Sequence, residues 1–164
     1  MLIDRDFIFP VYISENVLKV IKGICSKSNL ELFGYLVGNV LEWKKKKYVI
    51  ITDQLYNKNA VNSQQYFTSQ IDGTAGIFDV VLKGLRDIRK DEDLRIIGWW
   101  HTHPDFGCFL STTDIHTQEF FFPETYQVAL IVDSIRREYT FFTLDKTSKE
   151  GYKDISHAII SKNK

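Results

Sequence analysis

The stretch from Gly98 to Asp114, GWWHTHPDFGCFLSTTD, gathers two of the chain's four histidines, a serine and an aspartate into seventeen residues. Side chains alternate along a strand, so His101 and His103 project to the same face with their rings near enough to share one ion. Pro104 follows, removes a backbone donor and stops the strand there. Asp114 comes eleven residues after His103, past a loop that contains Gly107, so the chain has room to bring a carboxylate back to the same point. Two imidazoles, one carboxylate and an open fourth position are the donor set of a catalytic zinc site. Such an ion lowers the pKa of its water to about 7 and supplies hydroxide at neutral pH.

Plainer readings stand beside this one. Ser111-Thr112-Thr113-Asp114 is also a capping box, with Ser111 as N-cap and Asp114 near the positive end of the next helix, and judged alone that is the commoner meaning. Surface strands carry paired histidines that bind nothing, and an iron oxygenase also uses two histidines and one carboxylate. A barrel amidohydrolase needs about 250 residues, more than the 164 present, and a metallo-β-lactamase pattern needs a histidine where Phe106 stands. His116 and His157 have no partner at ligand spacing and read as ordinary helix or surface residues.

The elements that must position these residues follow from the hydrophobic pattern. Phe7 to Ile13 is a β-rich run that Pro10 marks as an edge strand. Ser14 offers an N-cap to an amphipathic helix running to about Ser28, with Val17, Leu18, Ile21, Ile24 and Cys25 on one face. Leu32 to Leu41 and Tyr48 to Tyr56 are two strands joined by a solvated lysine tip, and Asn57 to Gln70 is a long polar loop. From Thr74 to Lys90 the apolar positions Ile77, Phe78, Val81, Leu82, Leu85 and Ile88 make one helical stripe. Arg95 to His103 is then a strand, Thr112 to about Phe122 a short helix, and Tyr126 to Asp133 with Glu138 to Leu144 a hairpin. The tail, KTSKEGYKDISHAIISKNK, has no clear period and is compatible with a last short helix. A mixed sheet flanked by helices, of α/β (α+β) class, is the expected architecture, with residues 1–164 forming a single domain.

Composition narrows the function classes. Lysine plus arginine equal aspartate plus glutamate at 21 each, so no net field holds the chain on nucleic acid or anionic lipid, and neither is an expected partner. Two cysteines are too few for a disulfide framework, and no apolar run approaches the ~20 residues of a membrane span. With no signal-peptide pattern at the start, the expected location is cytoplasmic.

These residues resemble the JAMM, or MPN-plus (JAB/Mov34), zinc isopeptidases, whose signature is an upstream glutamate followed by His-x-His-Pro-x6-Ser-x2-Asp. His101, His103, Pro104, Ser111 and Asp114 fit that spacing without a gap, and ELFGYLVG, Glu31 to Gly38, is similar to the family's Glu-x-x-Gly-x-x-x-Gly strand. Within the family the stretch from Ile96 to Gln118 and the run VALIVDS are most similar to the catalytic subunits of the proteasome lid and the signalosome, over roughly residues 28–145. Thr102 stands where serine is usual and Asp105 where glycine is usual. The chain ends soon after the last hairpin, without the C-terminal extension of those subunits, so a compact enzyme or member of a small complex is expected.

The resemblance implies a cytidine-deaminase-like MPN fold with a curved mixed sheet and one Zn²⁺ per chain on His101, His103 and Asp114. It makes Glu31 the general base and Ser111 the donor to a tetrahedral oxyanion. The implied substrate is the amide between the C-terminal Gly-Gly of a ubiquitin-like modifier and a lysine or another chain, with the edge around Asn57 to Thr74 and Phe106 to Leu110 receiving the tail as an added strand. Two rivals share the motif: a zinc peptidase acting on a sulfur-carrier adduct or small peptide, and a non-catalytic MPN scaffold.

Overall fold

The computed structural model describes residues 8–56 and 76–161. In chain order the elements are β1 (Val11–Ser14), α1 (Glu15–Cys25), β2 (Phe33–Trp43), β3 (Lys46–Tyr56), α2 (Gly76–Arg89), β4 (Arg95–Thr102), α3 (Thr112–Phe121), β5 (Val128–Asp133), β6 (Glu138–Leu144), β7 (Tyr152–Ile155) and β8 (His157–Ile160). The expected polar loop from Asn57 to Gln70 and the helix start at Thr74 lie outside the described residues. None of the described helices is long and apolar enough to cross a membrane.

The strands form one mixed sheet in the order β7-β6-β5-β4-β2-β3-β1-β8. The pairs β4/β5, β1/β3 and β1/β8 are parallel, and the others are antiparallel. Strands β7 and β8 stand at opposite ends of that order, yet only Ser156 separates them in the chain. One residue spans at most ~3.6 Å of extended chain, so the sheet must roll until its two margins meet. The seam is visible: Tyr139 Oη of β6 lies 3.0 Å from His157 Nε2 of β8, and Phe141 packs on the same imidazole.

This closure corrects two expectations. The tail forms two strands rather than a helix, because four-residue strands paired with distant partners leave no local period to read. Strand β1 is not an edge despite Pro10, because β8 pairs along its free side and the Pro10 carbonyl accepts the Val49 N–H at 3.0 Å. The lysine tip is as tight as a turn can be. Lys44 and Lys45 both take left-handed backbone (φ 48° and 64°), a two-residue hairpin that lets β2 and β3 run to Trp43 and from Lys46, beyond the expected strand ends.

The two faces of the sheet carry separate cores. On one, α1 buries Val17, Leu18, Ile21 and Cys25 against Val11, Ile13, Leu36, Ile51, Trp100 and Leu130. Burial pushes the Cys25 thiol up to about 12, which leaves it an inert apolar filler. Ser14 stands at the N-cap of α1 without a side-chain capping bond. On the other face, α3 covers Phe33, Tyr35, Trp99, Ala129 and Ile131 together with Leu110 and Phe122. Strand β5 is buried at every position, as a central strand covered on both faces should be. Helix α2 is tied down by polar contacts, Arg86 Nε to the Leu94 carbonyl at 2.9 Å and an Arg89–Asp53 ion pair. Its expected stripe is not covered throughout, since Ile88 is 75% exposed.

Close backbone approach explains the glycines in the central strands. A Cβ on Gly34 would lie 2.3 Å from the Trp100 indole, and one on Gly98 would lie 1.8 Å from the Val128 carbonyl oxygen of the neighbouring strand. Gly23 of α1, by contrast, has nothing within 4 Å of where its Cβ would stand. Gly98→Ala is therefore expected to destabilise the fold by about 2–4 kcal/mol, because the obstacle is backbone and cannot swing away. Gly23→Ala is expected to stabilise it by about 0.5–1 kcal/mol, through helix propensity alone. Chemical denaturation of both variants checks the pair, and a Gly98→Ala protein as stable as the parent would contradict the packing described.

Candidate metal centre

Alternation along β4 sends Trp100 to the α1 face and sends Trp99 and His101 to the α3 face. His101 is paired with Phe33 of β2 in the ladder, and the two rings meet edge to face at 4.4 Å. His103 lies one residue beyond the end of β4 but is still held in register, its N–H donating to the Val132 carbonyl at 2.9 Å. Both histidines are buried, and their ring centroids are 4.6 Å apart.

Asp114 arrives from α3. The capping box forms: Ser111 Oγ accepts from the Asp114 N–H at 3.1 Å, and Asp114 Oδ2 accepts from the Ser111 N–H at 2.8 Å. The Ser111 hydroxyl also donates to Oδ2 at 2.7 Å. These bonds aim the carboxylate at the imidazoles, with Oδ1 3.5 Å from His101 Nδ1 and Oδ2 3.2 Å from His103 Nε2. The capping meaning and the clustering meaning of the motif therefore hold together. One donor atom from each of His101, His103 and Asp114 lies within 4.8 Å of the others.

Electrostatics act clearly on two of these groups, His101 and Asp114. Burial pushes the His101 pKa down to about 3 against the pull of Asp114, so its imidazole is neutral at physiological pH and keeps a free lone pair. Burial alone would raise the Asp114 pKa, but the bonds from His103 and Ser111 and the nearness of His101 outweigh it and hold the carboxyl below its ordinary value. Among the described residues, neither ring nitrogen of His101 nor Nδ1 of His103 has a hydrogen-bond partner, although all three are buried. Buried polar atoms are rarely left so, and two imidazoles beside one carboxylate are the donors that a divalent cation of zinc type takes.

Glu31 completes the group from a different direction. It precedes β2 by two residues, its side chain is 58% exposed, and its Oε2 lies 4.0 Å from His101 Nε2. Thr102, noted in the sequence only as a departure from serine, fixes this segment. Its hydroxyl accepts the Leu32 N–H at 2.7 Å and donates to the Leu30 carbonyl at 3.3 Å, one bond on each side of Glu31. Its position between the two histidines, on the opposite side of the strand, was the available signal. Gln118 was likewise noted only as part of a similar stretch. It accepts the Trp99 indole N–H at 2.6 Å and donates to the carbonyls of Phe122 and Gln127, which seats α3 on β4.

All five expected site residues line one pocket of about 270 Å³, to which Phe106, Phe109 and Thr113 add walls. The Phe106 to Leu110 half of the expected substrate edge thus borders the pocket, whereas the Asn57 to Thr74 half falls outside the described residues. Asp105 stands at φ 63°, in the left-handed region that accounts for glycine being usual there, and the Arg136 guanidinium meets its carboxylate at 3.2 Å.

Comparison with known proteins identifies the family and the fold. Residues 10–125 match the family described as JAB1/Mov34/MPN/PAD-1 ubiquitin protease. The chain is 29% identical over 134 residues to the ubiquitin carboxyl-terminal hydrolase RPN11 of Saccharomyces cerevisiae, covering 77% of this chain and 39% of that protein. It is 27% identical over 111 residues to COP9 signalosome complex subunit 5 of Debaryomyces hansenii, covering 66% of this chain and 22% of that one. It therefore spans well under half the length of these relatives. A solved JAB1/MPN domain protein from Archaeoglobus fulgidus superposes with a TM-score of 0.53 at 12% identity, over 91% of this chain and 98% of that one, and so shares the fold. The chain belongs to the JAB1/Mov34/MPN/PAD-1 family.

Proposed function

We propose that this chain is a zinc-dependent isopeptidase that cleaves the amide between the C-terminal Gly-Gly of a ubiquitin-like modifier and a lysine or another chain. The observation that carries the reading is the convergence of two buried imidazoles, three of whose four ring nitrogens lack hydrogen-bond partners, with one buried carboxylate, in a pocket that opens beside an exposed glutamate. His101, His103 and Asp114 would hold one zinc ion, which when bound supplies Lewis acidity toward the amide carbonyl and toward water.

The chain's own groups divide the remaining work. Glu31, accessible where the ligand set is not, accepts a proton from the attacking water at its carboxylate and returns it to the leaving amine nitrogen. Ser111 serves as a donor to the developing oxyanion. Its hydroxyl donates to Asp114 Oδ2 at rest, so stabilising the oxyanion means exchanging one anionic acceptor for another. Phe106 and Phe109 narrow the entrance, where a glycine backbone passes most easily. The similarity to proteins named as a ubiquitin hydrolase and a signalosome subunit supports a ubiquitin-like substrate.

The decisive experiment incubates zinc-loaded protein with conjugates of several ubiquitin-like modifiers, with and without chelator. Chelator-sensitive cleavage after Gly-Gly is expected. Replacement of both glycines by valine in an otherwise intact substrate is expected to abolish it, and equal rates on the two substrates would favour a general peptidase. His103→Ala is expected to lose zinc by elemental analysis while its circular dichroism persists, because both hydrophobic cores lie outside the ligand set. Equal zinc content in that variant and the parent would sink the ligand assignment. Glu31→Gln is expected to keep zinc and lose turnover, since the amide cannot take the proton. Ser111→Ala is expected to lower kcat by about 10²–10³, and a Ser111→Ala protein with normal kcat but reduced stability would leave Ser111 only its capping role.

A further inference from the structure

We propose that Asp133 is a positioning residue for the metal centre, its buried carboxylate taking over from the backbone ladder beyond His103 and so fixing the segment from His103 to Gly107. The inference rests on the zinc reading of the pocket and goes beyond it, because Asp133 lines no part of that pocket.

The need for such a residue arises from the ladder. Strands β4 and β5 are parallel and in register through Thr102 opposite Val132, and the His103 N–H bond to Val132 adds one further step. N–H directions alternate along the strand, Thr102 donating to the Leu32 carbonyl on the β2 side and His103 to the Val132 carbonyl on the β5 side, so the next donor aimed at β5 is the Asp105 N–H. At that point β5 ends in Asp133, which is 0% exposed. Its Oδ1 accepts the Asp105 N–H at 3.0 Å and its Oδ2 accepts the Gly107 N–H at 2.8 Å. Oδ1 also accepts the N–H groups of Ile135 and Arg136, at 3.1 and 3.0 Å, from the β5–β6 turn. One carboxylate thus ties the loop after His103 to the turn after β5.

What the loop carries makes this consequential. It begins at His103, which is followed by the Phe106 and Phe109 walls, and it ends at Ser111, where the cap that aims Asp114 begins. The Phe109 ring rests 4.8 Å from the His103 ring. A shift of residues 105–107 would therefore change both the direction of one proposed ligand and the shape of the pocket mouth. Arg136 braces the same loop from outside, donating through Nη2 to the Asp105 carbonyl at 2.8 Å.

Asparagine in place of aspartate keeps the volume and removes half of the acceptors. With its oxygen in the place of Oδ1 it retains three of the four bonds, but its NH₂ then faces the Gly107 N–H, donor against donor. Asp133→Asn is thus expected to release Gly107 selectively. Amide hydrogen exchange by NMR should show Gly107 exchanging at least about tenfold faster while Ile135 and Arg136 stay protected. Zinc affinity, measured by competition with a chromophoric chelator, should fall by about 10–100-fold, the usual consequence of losing a group that orients a ligand. The visible absorption of the cobalt(II)-loaded protein should change as well.

Val17→Ala, in the core under α1, is the control, since it lowers stability from the other face and should leave zinc affinity and the cobalt spectrum unaltered. Should Asp133→Asn fail to fold, Arg136→Ala decides, because its side chain is 49% exposed and its loss should still speed exchange at Asp105 and weaken zinc several-fold. Parental zinc affinity and cobalt spectrum in folded Asp133→Asn, or in Arg136→Ala where that variant decides, overturn the inference alone, as does an equal loss in Val17→Ala. A parent protein that binds neither zinc nor cobalt overturns the reading of the pocket, and this inference falls with it.

Discussion

An ionised carboxylate only 1% exposed is costly unless other groups compensate it, and Asp114 is the group around which this structure is arranged. Its compensation is drawn from separate parts of the chain. The Ser111 N–H and hydroxyl come from the helix start, and the imidazoles come from the end of a central strand. Each of these must be delivered within a few tenths of an ångström, so the spacing between α3 and β4 cannot drift. Gln118 enforces it from within the helix, joining the Trp99 indole to the Phe122 carbonyl at the helix C-terminal end and the Gln127 carbonyl just before β5. Stacking of Trp99 on Phe122, with ring planes 9° apart, fills the remaining space. The polar site thus rests on the apolar packing beneath it, which sets the spacing between α3 and β4.

The rolled sheet supplies the rigid frame this requires. Because the segment from Tyr152 to Ile160 crosses from one margin of the sheet to the other, β4 and β5 lie far from any free edge and are covered on both faces. The faces then specialise. The α1 face is almost wholly hydrocarbon and aromatic, and the polar groups nearest it, Lys22, Tyr139 and His157, lie at the seam. The α3 face gives up part of its apolar area to the site. The larger apolar core and the candidate site therefore lie mainly on opposite sides of the same strands, so a change under α1 affects folding before it affects the pocket.

Much of this was legible in the sequence, and what was not has physical causes. Period and punctuation located β2, β3, β4, α1, α3 and the β5–β6 hairpin to within a few residues, because each is long enough to show a full repeat or is bounded by a proline, a turn or a cap. The spacing of His101, His103, Ser111 and Asp114 was enough to bring those side chains together, since strand alternation and the first turn of a helix are local geometry. Strands β7 and β8 were missed because four residues make no pattern and their partners are remote in sequence. Pro10 was read as an edge signal for the same reason: the strand that covers β1 comes near the end of the described chain. Thr102 and Asp133 escaped notice as supporting residues because their partners lie seventy and twenty-eight positions away, and a single sequence does not show which remote group each one meets.

Exposure separates two carboxylates that belong to one pocket. Asp114 is enclosed, held by the capping box and the imidazoles, and kept below its ordinary pKa against the effect of burial. Glu31 is fixed through its backbone alone, by the Thr102 hydroxyl on either side, while its side chain reaches open solvent. In the proposed reaction Asp114 must stay charged and still and is best given several rigid donors, whereas Glu31 must take up and release a proton and needs access to water and freedom to turn. Placing the first in a helix cap and the second just ahead of a strand gives two carboxylates opposite properties within one pocket. Thr102 links them structurally, since the residue that steadies the Glu31 backbone is the one between the two histidines.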